Sequence, residues 1–305
     1  MRSLTFSRGV WRLAIWLAVW TAACLWGSVA CWAGEATWVD TEDPVRFLRL
    51  TRLEDGEPKA LETAIVRFRP TQADAATPAV DLISAIHVGE PEYYAELNRI
   101  FSDYDAVLYE LVAPEGARIP QKGAGRNLTN PVSLLQSGLT DLLDLQFQLE
   151  GIDYTAGNLV HADMSPEQFA RSMRERGESF GEIFIRMMGY TMARQNDGHA
   201  AGSDARMMAA LLAADRAMAL RRIMAEQFSH MQGAIHAIEG PGGSTLIAAR
   251  NKVALDVLRR KLDAGKRKVA IFYGAGHMDD ILARLCDEFD LEPAKERWLT
   301  AWKLR

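Results

Sequence analysis

Three side chains able to do acid–base or metal chemistry each lie at the end of a short apolar run: His87, Glu110 and His277. If these runs are parallel strands of one sheet, the side chains meet where ligands bind, outside the carboxyl ends of the strands. Two imidazoles and a carboxylate can bind a divalent transition metal, which lowers the pKa of a bound water to about 7. Without a metal, the trio can serve as general acid and base. Each residue alone is also consistent with a solvated strand end.

A charged residue on an apolar helix face adds a second candidate. Arg250 lies in a helix predicted over Thr245–Leu262, and Leu246 and Val253 share its face. An arginine in such a place is rarely buried without a partner. It therefore forms either an internal ion pair, with an acid on a neighbouring helix, or a clamp on a substrate carboxylate or carbonyl. In the second interpretation, Asn251 can donate to the same substrate group.

The strands that must position these groups are predicted from apolar periodicity. Val45–Leu53 and Leu61–Phe68 predict a β-hairpin. Pro78–His87 predicts a buried strand, a helix follows from Pro91 to about Ser102, and Asp105–Val112 predicts a second strand. This order is typical of a βαβ unit, with parallel pairing and a right-handed crossover.

The middle of the chain, about residues 125–245, is predicted to be a large helical section. Ser165 begins a helix with a capping box, and Asp163 just before it is interpreted as support for that helix start. Ser203–Ala237 predicts one long amphipathic helix, and Glu182–Arg194 another.

The last strand is predicted over Lys268–Tyr273, and Gly274-Ala275-Gly276 turns it into a helix over Met278–Phe289. Such a turn leaves amide groups at a helix N-terminus free to hold an anion or oxyanion. With strands at both ends and helices between, the predicted fold class is α/β. Its central sheet is mixed or mostly parallel and is built from N- and C-terminal strands.

The first 33 residues predict an export signal. Three arginines precede the uncharged run Leu13–Trp26, and Ser28-Val29-Ala30 fits a cleavage site. An uncleaved membrane anchor and lipidation at Cys31 are the alternatives. All three place residues 34–305, predicted to be one domain, outside the cytoplasm or in the periplasm, with membrane contact only through the N-terminal segment.

The charge of the chain argues against a nucleic-acid partner. The leader holds three arginines and no acidic residue, so its removal takes the formal net charge from −5 to −8. Binding phosphates requires a cationic surface. The expected partner is therefore a peptide or a small-molecule substrate. At most Cys31 and Cys286 remain in the mature part, so the sequence predicts no disulfide framework.

Four short segments occur in an order and spacing that resemble the TraB/GumN/Tiki family, over about Val80–Leu285. They are Ser84-Ala85-Ile86-His87-Val88-Gly89, Leu108-Tyr109-Glu110-Leu111-Val112, Ala249-Arg250-Asn251 and Gly274-Ala275-Gly276-His277. The resemblance implies an α/β fold like that of the erythromycin-esterase and ChaN-like proteins. The animal Tiki members of the family act as metal-dependent proteases, with paired GxxH motifs and a glutamate as candidate site residues.

The chain departs from the family pattern at three places. Ser84 stands where the first GxxH motif usually has glycine, and Ala249 stands where an acidic residue usually precedes Arg-Asn. The glycine usual shortly after the last histidine is missing from Met278–Asp280. A proton carrier or ligand is therefore absent at Ala249.

Together these observations predict an exported metal-dependent hydrolase acting on a peptide or similar amide. His87, Glu110 and His277 would hold a manganese, cobalt or zinc ion, and Glu110, Arg250 and Asn251 would act on the substrate. The alternative is a non-catalytic module that sequesters a peptide or other ligand, favoured by the missing acid at Ala249. Analogy with the ChaN-like fold alone suggests a third possibility, haem or iron binding.

Overall fold

A computed structural model describes residues 37–72, 78–114, 116–117, 143–179, 181–182, 185–186, 203–229, 239 and 243–305. The strands are β1 (Val39–Asp40), β2 (Leu48–Arg52), β3 (Pro58–Pro70), β4 (Ala79–Ala85), β5 (Val88–Gly89), β6 (Ala106–Tyr109), β7 (Gln146–Phe147), β8 (Leu159–His161), β9 (Lys268–Gly274) and β10 (Leu291–Lys303). The helices are α1 (Pro91–Phe101), α2 (Pro166–Glu175), α3 (Ser203–Leu211), α4 (Arg216–Ser229), α5 (Arg250–Asp263) and α6 (Met278–Phe289), with single turns at Gln148–Gly151, Thr245–Ala249 and Ala275–His277.

The chain forms a mixed sheet, as the α/β prediction required. Its strand order is β1-β10-β3-β4-β9-β6-β8, with β2 beside β3. The pairs around β3 and β10 are antiparallel, and β2 with β3 makes the predicted hairpin. The four neighbouring strands β4, β9, β6 and β8 are parallel. Parallel strands are usually covered on both faces. β9 is an example, because six of its seven residues are buried.

Helices cover both faces of the parallel strands. Alternation along β9 places Phe272 and Tyr273 on opposite faces. Tyr273 belongs to a core cluster that the sheet forms with α5 and α6. On the other face, the ring of Phe272 packs 4.8 Å from that of Phe101 in α1. α1 begins at Pro91, as predicted, and its apolar stripe is buried against the sheet.

The predicted βαβ unit needs one correction. β4 and β6 are parallel, but they do not pair with each other, because β9 lies between them and pairs with both. The sequence of β9 explains its central place: Val269, Ile271 and Phe272 are fully buried, so the strand gains most stabilisation where both faces are covered. Order along the chain therefore did not predict which strands are neighbours.

Two predictions about the middle of the chain also need correction. The long helix expected over Ser203–Ala237 is interrupted between Leu211 and Arg216, because the side chain of Asp215 accepts a hydrogen bond from the Met218 amide at 2.9 Å and caps a new helix, α4. The helical section also contributes a strand, since β8 pairs with β6 at the edge of the sheet.

Several predictions lie outside the described residues. These are the export segment, residues 1–33, residues 125–142 of the predicted helical section, and most of Glu182–Arg194. Within the described ranges, no helix combines the length and apolarity needed to cross a membrane.

Candidate active site

The four parallel strands deliver four chemically active side chains to one edge of the sheet. His87 follows β4, Glu110 comes directly after β6, and His277 lies in the turn after β9. These three are the residues that the sequence predicted to meet. Asp163, two residues beyond β8, joins them as a fourth. The shared direction of the strands is the cause, because it brings their carboxyl ends to the same edge.

Glu110 is the centre of the hydrogen-bond network at this edge. Its side chain is 11% exposed. Oε1 accepts a hydrogen bond from Nη2 of Arg250 at 2.8 Å and lies 3.4 Å from Nε2 of His277, and Oε2 accepts one from the Gly274 amide at 2.8 Å. Burial alone would raise the pKa of Glu110, but His277, Arg250 and His87 outweigh it and hold that pKa well below its usual range. Glu110 is therefore a carboxylate at neutral pH.

Arg250 forms the internal ion pair that was one of its two predicted roles. Its Nε and Nη2 donate to the two carboxylate oxygens of Asp163, at 2.9 and 2.5 Å, while Nη2 also reaches Glu110. The partners lie at strand ends rather than on a neighbouring helix. Burial acts to lower the pKa of Arg250, but hydrogen bonds and charges from Asp163 and Glu110 raise it overall. Since the guanidinium is engaged and buried, it holds the site together and is poorly placed to clamp a substrate.

From the sequence, Asp163 is interpreted as support for the start of α2; its Oδ1 accepts a hydrogen bond from the Met164 amide at 2.7 Å, but its side chain also pairs with Arg250. Ser165 caps α2 by itself: its side chain accepts from the Gln168 amide, and Gln168 reciprocates in a capping box. The side chain of Asp163 has no exposed surface, and its carboxylate contacts Arg250. Leu159 and Val160 come before Asp163, but His161 interrupts the apolar pattern. The signal was therefore weaker than the four apolar residues, Ala106–Tyr109, that precede Glu110.

The orientation of His277 is fixed by Asn251. The Asn251 amide nitrogen donates to the backbone oxygen of His277 at 3.1 Å and to Asp280 at 2.8 Å. Its oxygen must then accept, and it faces Nδ1 of His277 at 2.6 Å. Nδ1 thus carries hydrogen, and Nε2 points to Glu110. Asn251 is fully buried, and its side-chain nitrogen already donates within the protein. Its contact with a substrate stays a prediction, and the contact in this structure is with His277.

His87 is held in a matching way by a residue that the sequence did not reveal. Nδ1 of His87 lies 3.1 Å from Oε1 of Gln148, whose Nε2 donates to the hydroxyl of Tyr154 at 2.9 Å. The backbone N–H of Gln148 also donates to the backbone oxygen of His87 at 2.9 Å. Nε2 of His87 therefore remains available. Unlike His277, His87 is exposed.

The donor set fits a transition metal in kind. In both histidines an amide oxygen takes the Nδ1 hydrogen, which is how proteins usually orient a ligating imidazole. The 3.4 Å between Glu110 Oε1 and His277 Nε2 is close to the separation, roughly 3.3 Å, of two atoms on one tetrahedral zinc. Among the described residues, however, no three His, Cys, Asp or Glu side chains are spaced to hold an ion as they stand. A metal would have to draw His87 closer.

Because Gly274 has no side chain, it leaves space beside the side chains of Glu110 and His87. A Cβ built on it would lie 3.2 Å from Oε2 of Glu110 and 3.6 Å from Nε2 of His87. Its φ of −57° and ψ of 145° are accessible to alanine. The glycine is needed here for space and not for backbone conformation.

Gly274→Ala is therefore expected to lower the free energy of unfolding by about 1–3 kcal/mol, because the new methyl overpacks the Glu110 carboxylate. Chemical denaturation at pH 7 measures this. Gly157→Ala is the matched control, since a Cβ there meets nothing within 4 Å, and it should change stability by about 0.5 kcal/mol at most. Equal effects of the two substitutions would contradict the close approach at Gly274.

The departures at Ser84 and Ala249 have different structural contexts. Ser84 lies inside β4, fully buried, and its backbone oxygen accepts from the hydroxyl of Tyr93 at 3.3 Å. No turn begins there, so glycine is not required. Ala249 directly precedes α5 and brings no charge to the site.

Comparisons of the chain with models of protein families, with curated proteins and with solved structures each found no match.

Proposed function

We propose that this protein is a hydrolase of the TraB/GumN/Tiki type, which uses a divalent transition metal to cleave a peptide or similar amide outside the cytoplasm. One observation carries the proposal. Two imidazoles, His87 and His277, each have Nδ1 engaged by a side-chain amide oxygen, and Nε2 of His277 faces the buried carboxylate of Glu110 at the same sheet edge. A structural histidine at a strand end does not need this arrangement.

The charge of the site supports a cation. Asp163 and Glu110 share a single guanidinium, that of Arg250, which leaves one negative charge before the histidines are counted. Asp280 adds none, because it pairs with Arg284 at 2.8 Å. A buried charge of this kind is stable only when it is paired. Either a bound metal ion or a protonated histidine can supply the missing positive charge.

Each protein group has a role that follows from its contacts. Manganese, cobalt or zinc would be held by His87, Glu110 and His277 and would make hydroxide available from bound water near neutral pH. Glu110, ionised at neutral pH, cannot donate a proton, so it serves as an anionic ligand or acceptor. Arg250 fixes Glu110, and Asn251 fixes His277. Both are positioning residues.

Metal content and hydrolysis of fluorescein-labelled casein test the proposal together. The purified mature chain should carry about one transition-metal ion, measured by mass spectrometry, and cleave the probe. The double variant His87→Ala/His277→Ala should lose both while circular dichroism shows the fold retained.

His161→Asn is the matched control for that experiment. It removes an imidazole at the same sheet edge whose Nε2 is engaged by the Leu111 carbonyl at 2.6 Å, so metal and activity should remain. Full activity in the double variant would overturn the proposal. A chain without metal, even after manganese and cobalt are added, would overturn its metal-dependent form.

A peptide-sequestering module is the second candidate. Two observations favour it: Ala249 brings no acid, and both oxygens of Glu110 already accept hydrogen bonds, from Arg250 and Gly274. A carboxylate so engaged is a weaker base. Recovery of a bound peptide unchanged after prolonged incubation would select this function over hydrolysis.

A further inference from the structure

The side chain of Tyr154 lies at the same sheet edge. Its ring packs edge-on against that of Tyr109 at 5.0 Å, and Tyr109 directly precedes Glu110. Tyr109 in turn contacts His161 at 5.8 Å. These contacts fix the plane of the Tyr154 ring, which is half-buried.

The hydroxyl of Tyr154 has a free hydrogen. Nε2 of Gln148 donates to its oxygen at 2.9 Å, so the oxygen acts as acceptor in this contact. No acceptor for the hydroxyl hydrogen is found among the described residues. A phenol engaged only through its oxygen can donate one hydrogen bond outward.

The same glutamine places this donor beside His87. Oε1 of Gln148 faces Nδ1 of His87 at 3.1 Å, while Nε2 holds Tyr154. One primary amide thus fixes both groups, and the charge of Glu110 acts on Tyr154. Burial, the largest cause, raises the pKa of Tyr154 above its usual range. The hydroxyl accordingly keeps its hydrogen at neutral pH.

We infer that Tyr154 is a catalytic residue whose hydroxyl donates a hydrogen bond to the carbonyl oxygen of the scissile amide. This inference rests on the proposed function. After the attacking water has lost a proton to solvent, the resulting hydroxide bonds to the carbonyl carbon, the C–O double bond becomes single and its electron pair moves to oxygen. When the C–O double bond re-forms, the C–N bond breaks and the amine leaves with a proton from solvent. The donor stabilises that developing oxyanion and transfers no proton. Such a donor complements His87, Glu110 and His277, which act on the water.

Tyr154→Phe tests the inference, because it keeps the ring and removes only the hydroxyl. We expect kcat for casein peptides to fall about 100-fold, with KM nearly unchanged, since removal of one oxyanion donor has an effect of this size. Tyr104→Phe removes a phenol hydroxyl at the other end of β6, where it donates to Asp81 at 2.6 Å, and should leave kcat within about twofold. Unchanged kcat in Tyr154→Phe would overturn the inference while leaving the proposed function intact.

A merely structural role, acting through Gln148 and His87, gives a different result. In that case Gln148→Ala would reproduce the loss, and adding Tyr154→Phe to it would cause no further fall in kcat. A donor to substrate predicts a further fall in the double variant.

Binding of a phosphinic pseudo-tripeptide, a tetrahedral analogue, separates this inference from the proposed function. If the wild type binds the analogue but cleaves nothing, and Tyr154→Phe binds it at least tenfold more weakly, the donor role stands and hydrolysis fails. Equal binding by the two proteins would overturn the donor role.

Discussion

Arg250→Met is expected to lower the free energy of unfolding at pH 7 by about 3–5 kcal/mol. The substitution leaves the carboxylates of Asp163 and Glu110 buried side by side without the cation between them, and breaking a buried pair in this way is strongly destabilising. Methionine keeps much of the apolar stem, so the loss reports on charge more than on packing. Urea unfolding followed by circular dichroism measures it.

Lys252→Met provides the matched control two residues along the same helix. Lys252 pairs with Asp256 at 3.1 Å, but both side chains are more than half exposed, so the loss should be at most about 0.5 kcal/mol. The Arg250→Met loss should also shrink in acid, where the stranded carboxylates take up protons. A loss below about 1 kcal/mol at pH 7 would show that the buried cluster stabilises no more than a surface pair.

Glu110→Gln is expected to abolish metal binding and hydrolysis and to lower the free energy of unfolding at pH 7 by about 1–3 kcal/mol. Glutamine keeps the shape but presents an amide group to donors from Arg250, Gly274 and His277. In the folded protein the pKa of Glu110 is lowered. Its stabilising contribution is therefore fully present above the unfolded-state pKa, about 4.3, and is lost as the pH falls through the folded-state pKa.

The difference between wild type and Glu110→Gln should therefore be largest at neutral pH and shrink as the medium is made acidic. Denaturation series at several pH values measure this. Glu62→Gln is the control, because Glu62 pairs with Arg49 at 2.7 Å on a partly exposed part of the sheet. It should leave metal content and hydrolysis unchanged. A stability difference for Glu110→Gln that grows toward low pH would contradict the lowered pKa.

His87, Glu110 and His277 could be predicted because each follows a segment rich in apolar residues, and these segments form strands of seven, four and seven residues. Period and length were enough to identify β4, β6 and β9, and parallel packing then implied a common edge. The position of Arg250 on an apolar face left two roles open, an internal ion pair or a substrate clamp, and the structure shows the ion pair.

The remaining parts of the site come from contacts that are distant in sequence. Gln148 lies 61 residues from His87 and Asp163 lies 87 residues from Arg250. No local periodicity marks such a pair, because the geometry depends on how the sheet is ordered. β8 has only three residues, too few to show alternation.

β10 was missed for another reason. Glu292, Lys295, Glu296 and Arg297 make its sequence look polar, yet it pairs with β3 along almost its whole length. Neighbours contact part of each charged group: the guanidinium of Arg297 lies 4.8 Å from the ring centre of Trp38, and Oε1 of Glu296 accepts a hydrogen bond from Trp298 at 2.8 Å, while Oε2 of Glu296 and Nε of Arg297 are buried without a hydrogen-bond partner. Charged residues in a strand are tolerated where such partners exist, and the sequence alone does not show them.

The central place of β9 has a consequence for the biosynthesis of the protein. A ribosome makes β4 and β6 early, but the strand that pairs with both of them, β9, is absent until residues 268–274 have been made. His87 and Glu110 cannot take their final positions on a partial chain, because Gly274 and His277 arrive with that strand. The candidate site is therefore incomplete during most of translation. Long-range closure of this kind also slows folding.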